Sequence, residues 1–184
     1  MGLLFIPMFI AGIILMAKNP KLLERRLNAK EEENEQKQVV LVSGLMFVIV
    51  FISAGLNYKY GWTKLPDVVV IISSVLFIIS YAMYGEVLRE NAYLSRTIEV
   101  EEDQKIIDTG LYGIVRHPMY TASILMFLSI PLILGSFVSF LIFLSYPILI
   151  SKRIKNEEMV LEESLKGYTE YKKKVRYKLI PFVW

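Results

Sequence analysis

Two short polar stretches hold most of the side chains in this chain that could do chemistry. The first covers residues 108–120 and the second covers residues 153–158. Arginine can hold a carboxylate through two parallel hydrogen bonds, and tyrosine rings offer faces for planar or cationic groups. The set therefore suits the binding and orienting of a charged small molecule. Its members are Tyr112, Arg116, His117, Tyr120, Arg153 and Glu157.

Several other chemistries are excluded or disfavoured by the composition. The chain has no cysteine and a single histidine, which excludes thiolate nucleophiles, cysteine-ligated metals and a multi-histidine metal site. No G-x-G-x-x-G or Walker A pattern occurs, so a Rossmann or P-loop nucleotide site is disfavoured. The net charge of +3 gives no strong field for nucleic acid. We expect neither a metal nor a nucleic-acid partner.

Long apolar runs must position the two polar stretches. Hydrophobic residues make up 54% of the chain, against roughly 45–50% in soluble domains. Three runs are candidate membrane spans: Met1–Ala17, Val39–Leu56 and Val68–Leu88. The first of these lacks a preceding basic segment and a cleavage pattern, so we interpret it as an uncleaved anchor.

The fourth apolar run, residues 119–150, is too long for one span. As a single helix it would extend about 48 Å, well beyond a hydrocarbon core of roughly 30 Å. Gly135-Ser136 lies at its midpoint, which predicts a helical hairpin over 119–151 with arms at 119–134 and 136–151. A hairpin brings both polar stretches to the same membrane face.

These runs predict an all-α, polytopic integral membrane protein with five transmembrane helices. We expect a single membrane domain over 1–184, with three N-terminal spans in 1–88. Residues 89–184 would form the catalytic part with the cofactor pocket and end in a cytoplasmic helical tail. Five spans put 19 of the 21 Lys and Arg residues on one face. The positive-inside rule makes that face cytoplasmic and puts the N-terminus outside.

Four sequence elements follow one another in the C-terminal half: GLYGIVRHPMY at 110–120, EEMVL at 157–161, YTEYKKKV at 168–175 and IPF at 180–182. In this order and spacing they resemble the isoprenylcysteine carboxyl methyltransferase family. The phospholipid N-methyltransferases share the Arg-His-Pro-x-Tyr and Glu-Glu parts of this pattern more loosely. The resemblance runs from Gln104 to Phe182 and does not extend over residues 1–88. The small size favours a prokaryotic or archaeal member.

The resemblance implies an S-adenosylmethionine-dependent carboxyl O-methyltransferase that releases S-adenosylhomocysteine. It implies that Arg153 is the catalytic residue and binds the acceptor carboxylate, and it makes Glu99 a further candidate cofactor contact. The acceptor would be an isoprenylcysteine-like lipid, as a small molecule or a prenylated chain. Because the expected pocket lies at the membrane interface, we expect this lipid to enter laterally between the third span and the hairpin. The implied cofactor contacts are Gln104, Lys105, Ile106, Ile107, Tyr112, His117, Pro118, Met119, Tyr120 and Glu157.

Other interpretations remain open at this point. N-methylation of an amino-phospholipid is the second enzymatic candidate, and a nicotinamide-dependent membrane reductase is the third. A non-catalytic membrane scaffold is the fourth. Taken singly, Arg116-His117-Pro118 is typical of an interfacial anchor, and Arg153 with Glu157 is typical of a surface ion pair on one helix face.

Overall fold

The computed structural model describes residues 2–18, 20, 22–24, 34–94, 97, 98, 100 and 103–184. The regular structure of these residues is helical, without a β-strand. Part of the polar connector at 22–38, and the candidate contact Glu99, lie outside the described residues. The elements are α1 (Gly2–Lys18), α2 (Asn34–Tyr60), α3 (Asp67–Glu90), a 3-10 turn (Gly110–Gly113), α4 (Pro118–Ile133), α5 (Phe137–Phe143), α6 (Tyr146–Ser164) and α7 (Tyr168–Lys174).

Three segments of the described chain are long and apolar enough to cross a membrane. They are Lys37–Tyr60, Asp67–Glu90 and Phe137–Ser164. Helices α1 and α4 are apolar but shorter, with 17 and 16 residues. The predicted all-helical, polytopic membrane architecture is therefore confirmed, whereas the count of five spans stays a prediction.

Much of the helical surface is apolar and unprotected by protein, as a lipid-facing surface requires. Phe9 on α1, Leu41 on α2 and Val68 on α3 are each more than 60% exposed. Only 17% of the most apolar window of α2, and the same share of α3, is buried inside the protein. In water such a surface would drive aggregation, whereas in a bilayer it matches the acyl chains.

The predicted hairpin turn lies at Gly135. This glycine has φ +73°, and its N–H bonds the carbonyl of Leu132, which closes helix α4. Ser136 then caps α5 by accepting a bond from the Ser139 backbone. The Ser139 hydroxyl donates to the carbonyl of Val50 at 3.0 Å, which ties the turn to α2. A left-handed glycine followed by a serine cap explains why the chain reverses here.

The returning arm is broken near its middle instead of running as one helix. Helix α5 ends at Phe143, a two-residue turn follows, and α6 starts at Tyr146 with Pro147 in its first turn. Proline has no N–H to donate to the preceding turn, so the helix restarts at this point. Pro131, in contrast, lies inside α4 without interrupting it.

An aromatic core joins α2, α4, α5 and α6. The ring of Phe127 packs edge-on against Phe47 at 4.8 Å and against Tyr146 at 4.9 Å. The same cluster includes Val50 and Phe143, neither of which is exposed. This core sits directly beneath the first turn of α4, so it fixes where the polar residues at the ends of the hairpin lie.

Candidate functional site

The hairpin brings the two polar stretches into direct contact. The hydroxyl of Tyr120, in the first turn of α4, donates to Oε2 of Glu157 on α6 at 2.6 Å. Nε of Arg153, one helical turn before Glu157, donates to the same hydroxyl at 3.0 Å. Residues more than 30 positions apart in sequence are therefore joined through one phenol oxygen. This was the geometric requirement for a shared site.

Glu158 is the centre of a buried cluster of charges. Its Oε1 accepts from Nε of Arg116 at 2.8 Å and lies 3.2 Å from Nε2 of His117. Its Oε2 lies 3.0 Å from Nζ of Lys178. The side chains of Arg116, His117 and Glu158 are each less than 7% exposed. Removal of one partner from such a cluster leaves an uncompensated buried charge, so these residues must act together.

The C-terminal segment after α7 is laid across the start of α4. The backbone N–H groups of Arg116 and His117 donate to the carbonyls of Tyr177 and Lys178, both at 2.9 Å. Nη1 of Arg116 also donates to the carbonyls of Val175 and Arg176. The segment is held mainly through its backbone carbonyls. Since every residue type provides a carbonyl, the sequence does not indicate these contacts.

A recess opens beside the joined stretches. Its empty space is about 880 Å³ including the mouth, and it lies between α6, α7 and the segment that follows α3. One end carries the charged pair Arg153 and Glu157. The other end is an apolar wall formed by Ile106, Leu161 and Leu165, against which Val175 packs from behind. The recess is thus polar at one end and apolar at the other.

Ten of the eleven predicted site residues surround this recess. Pro118 is the exception, because it is fully buried in the first turn of α4 and does not line the recess. The lining residues are Gln104, Lys105, Ile106, Ile107, Tyr112, His117, Met119, Tyr120, Arg153 and Glu157. Their proximity was predicted from the sequence, and their contacts with a cofactor stay a prediction.

Several lining residues were not among the predicted contacts. Asn91, after α3, donates from Nδ2 to the hydroxyl of Tyr112 at 2.9 Å. Tyr171 donates its hydroxyl to the carbonyl of Tyr112 at 2.8 Å, and Tyr168 lies beside it. The aromatic residues of the tail were the available signal, since they indicate that the tail packs against the rest of the protein.

Burial sets the protonation of the tyrosines at the apolar end. It raises the pKa of Tyr168 well above its usual value, and the charges of Glu158 and Glu157 raise it further. Burial also raises the pKa of Tyr171. On the protein surface, a hydrogen bond from Lys174 lowers the pKa of the Asp108 carboxyl. Both buried phenols therefore remain protonated donors at neutral pH.

A second recess adjoins the first on the membrane side. Its empty space is about 1310 Å³ including the mouth, and its walls are mostly apolar side chains of α1, α2, α3, α4 and α6. Met119, Tyr120 and Arg153 line both recesses. Among the described residues no group of three or more His, Cys, Asp or Glu side chains could hold a metal ion.

Comparison with known proteins identifies a family. The model of the phospholipid methyltransferase family matches residues 65–167, which include α3, the hairpin and both polar stretches. The Delta(14)-sterol reductase of Mus musculus is 29% identical over 91 residues, which cover 48% of this chain and 22% of the reductase. The chain thus matches about a fifth of the length of this relative.

Proposed function

Since the chain belongs to the phospholipid methyltransferase family, we propose that it transfers a methyl group from S-adenosylmethionine to a lipidic acceptor within the membrane. The favoured acceptor is the carboxylate of an isoprenylcysteine-like lipid, and S-adenosylhomocysteine is the product of the donor. The first recess would hold the donor and the second recess would hold the acceptor.

The junction of the two recesses carries this proposal. Arg153 lines both, is 8% exposed and donates to Tyr120, which also lines both. A group transfer between a water-soluble donor and a lipid needs two cavities of different polarity that meet at one point. The polar recess beside Glu157 and the apolar recess among the helices fit that requirement.

The side chains of the first recess suit an adenosyl sulfonium compound. Glu157 offers a carboxylate to ammonium or hydroxyl groups, the wall around Leu161 and Leu165 offers apolar area to a heterocycle, and the buried Tyr168 hydroxyl offers a donor. When bound, S-adenosylmethionine supplies an activated methyl group, whose carbon–sulfur bond breaks as an acceptor atom takes the methyl carbon.

Arg153 would hold the acceptor carboxylate and orient one of its oxygens toward the first recess. A carboxylate is ionised at neutral pH, so no base has to remove a proton before the oxygen attacks. Tyr120 fixes the Arg153 side chain through Nε, and the aromatic core beneath excludes water. Orientation and water exclusion of this kind can lower a barrier by about 7–11 kcal/mol.

N-methylation of an amino-phospholipid is the second candidate, favoured by the description of the matching family. An amine acceptor is protonated at neutral pH and must lose a proton before its nitrogen can attack. Glu157 and His117, which both line the first recess, are the groups that could accept it, and Nδ1 of His117 lies 3.8 Å from Oε1 of Glu157. Nε2 of His117 already lies against Glu158. A carboxylate acceptor, which needs no base to remove a proton, therefore fits the site more simply than an amine does.

Because the chain is similar to a sterol reductase, hydride transfer from a nicotinamide cofactor is a third candidate activity. Because only a fifth of that protein's length is matched, its reaction does not carry over directly.

We further propose that the donor enters from the cytoplasm and the lipid enters laterally. The distribution of basic residues supports a cytoplasmic recess.

One experiment separates these activities. The purified full chain, reconstituted in lipid nanodiscs, is incubated with methyl-labelled S-adenosylmethionine and either a farnesylcysteine derivative or phosphatidylethanolamine. We expect label in the farnesylcysteine product that is released by mild base, as a methyl ester requires. Base-stable label in the phospholipid would support N-methylation instead. Absence of label with both acceptors, together with no binding of S-adenosylhomocysteine, would refute methyl transfer.

A further inference from the structure

The hydroxyl of Tyr168 is a buried polar atom without a partner. The side chain is 4% exposed and lines the first recess, and its oxygen has no hydrogen-bond partner within the part of the chain that the structure describes. The other phenols nearby differ in this respect, because Tyr120 donates to Glu157 and Tyr171 donates to the Tyr112 carbonyl. A buried hydroxyl left unpaired destabilises a fold. Because the side chain that carries it lines the recess, a ligand seated against this ring is the nearest source of a partner.

The surroundings of this hydroxyl indicate which part of a ligand would meet it. Tyr168 belongs to the apolar cluster at the end of the recess away from Arg153, together with Leu165 and Val175. The recess follows helix α6 from Arg153 to Leu161, which is about 12 Å along the helix axis. A ligand with a charged end and a flat heterocyclic end would therefore place its heterocycle beside Tyr168.

The surroundings of the hydroxyl disfavour an anionic partner. Burial and, after it, the charges of Glu158 and Glu157 raise the pKa of the Tyr168 phenol against a smaller opposing effect of Arg116, so the group stays protonated and donates. A ligand carboxylate at this position would be repelled by the same two glutamates. The hydroxyl is therefore best matched by an uncharged hydrogen-bond acceptor whose lone pair lies in the plane of a flat ring. The ring nitrogens of adenine are acceptors of this kind.

We propose that Tyr168 recognises the base of the adenosyl cofactor by donating a hydrogen bond to an adenine ring nitrogen. The adenine then lies against the apolar wall, and the sulfonium end points along α6 toward Arg153 and Tyr120. This inference rests on the proposed function, because it presupposes an adenosyl ligand in the first recess. It assigns Tyr168 a binding role that the sequence motif alone did not indicate.

The test compares Tyr168→Phe with Tyr177→Phe, because the phenol of Tyr177 lies outside the recess and packs at a tilt against the ring of Phe182. Binding of S-adenosylhomocysteine to the full chain is measured by calorimetry, and the ligand-free melting temperature is measured separately. Tyr168→Phe should weaken binding roughly three- to tenfold, while the melting temperature of the ligand-free protein stays the same or rises. Tyr177→Phe should change neither the affinity nor, by more than a degree or so, the melting temperature.

A rise in stability with a loss of affinity is the signature of an unpaired hydroxyl that a ligand satisfies. If Tyr168→Phe lowers the ligand-free melting temperature, or leaves the affinity unchanged, the residue is structural and the inference is wrong. If the unaltered chain does not bind S-adenosylhomocysteine at all, the proposed function fails with it.

Analogues of the ligand identify the acceptor atom. Three forms of S-adenosylhomocysteine, each with one adenine ring nitrogen (N1, N3 or N7) replaced by carbon, are measured on both proteins. One analogue should bind the unaltered chain more weakly, yet bind Tyr168→Phe as tightly as the parent ligand does. If all three analogues lose the same affinity on both proteins, Tyr168 does not bond the adenine ring.

Discussion

Neutralising each of the adjacent glutamates on α6 should produce opposite phenotypes. Glu158→Gln removes the charge that compensates Arg116 and Lys178 in the buried cluster. Glu157→Gln instead changes a side chain that is 25% exposed at the recess and bonds Tyr120. We therefore expect Glu158 to stabilise the fold and Glu157 to bind the ligand.

The sizes of the two effects follow from burial. Breaking a buried ion pair by removing one partner costs about 3–5 kcal/mol, and the two carbonyls that Arg116 also bonds favour the lower end. A loss of about 3 kcal/mol would lower the melting temperature by roughly 6–12 °C in a chain of this size. Loss of a charge-assisted bond to the ligand costs about 2–3 kcal/mol, which would weaken cofactor binding roughly 30- to 150-fold in Glu157→Gln.

The assay measures two quantities for each variant in the same detergent: the ligand-free melting temperature and the dissociation constant of S-adenosylhomocysteine. Glu162→Gln serves as a matched control, because this glutamate is on the same helix but pairs with Lys172 at the surface. The control should change neither quantity appreciably. Equal losses of stability in Glu157→Gln and Glu158→Gln, or weaker binding caused by Glu158→Gln alone, would refute the division of roles.

Three further outcomes follow from the structure. Arg153→Lys should lower turnover about tenfold or more while cofactor affinity changes little, because an ammonium lacks the planar fork that holds a carboxylate; steady-state kinetics and calorimetry check this, and equal losses would make Arg153 structural. Gly110→Ala should destabilise by about 2–4 kcal/mol in thermal unfolding, since φ is +52° and the added carbon meets the Glu90 carboxylate; a stable variant would contradict this. Ala11→Phe fills part of the second recess. It should raise KM for a long-chain acceptor roughly tenfold at unchanged cofactor affinity, because the acceptor loses apolar contact area in the recess. An unaffected KM would refute the assignment of that recess to the acceptor.

Those parts of the architecture that depend on local signals were predictable from the sequence. The apolar runs predicted helices near their observed positions, and Gly135 marked the turn because only glycine readily adopts its left-handed backbone. The approach of residues 108–120 to residues 153–158 then followed from the hairpin. The short α5 did not, because Pro147 lies within an otherwise continuous apolar run, where a kink and a helix break look alike in the sequence.

Helix geometry alone does not predict the division of labour within the site, although the family resemblance named Glu157 and not Glu158 as a cofactor contact. Adjacent residues of a helix point about 100° apart, so Glu157 and Glu158 must face different surroundings. Which of them faces the recess depends on the rotation of α6, and that is set by distant packing. The unpaired hydroxyl of Tyr168 was equally invisible, because an absent partner is a property of the folded structure and leaves no mark in a motif.

The recess depends on the C-terminal segment as much as on the membrane helices. Arg116 joins Glu158 on α6 to the carbonyls of Val175 and Arg176, and Tyr171 on α7 bonds the carbonyl of Tyr112. The apolar wall is built mainly from Leu165 and helix α7, directly before this segment. Because the segment holds the wall through Arg116, whereas Arg153 is held by Tyr120 of α4, loosening the segment would open the apolar end with little movement of Arg153. Cofactor affinity should therefore be more sensitive to changes after α7 than acceptor binding is.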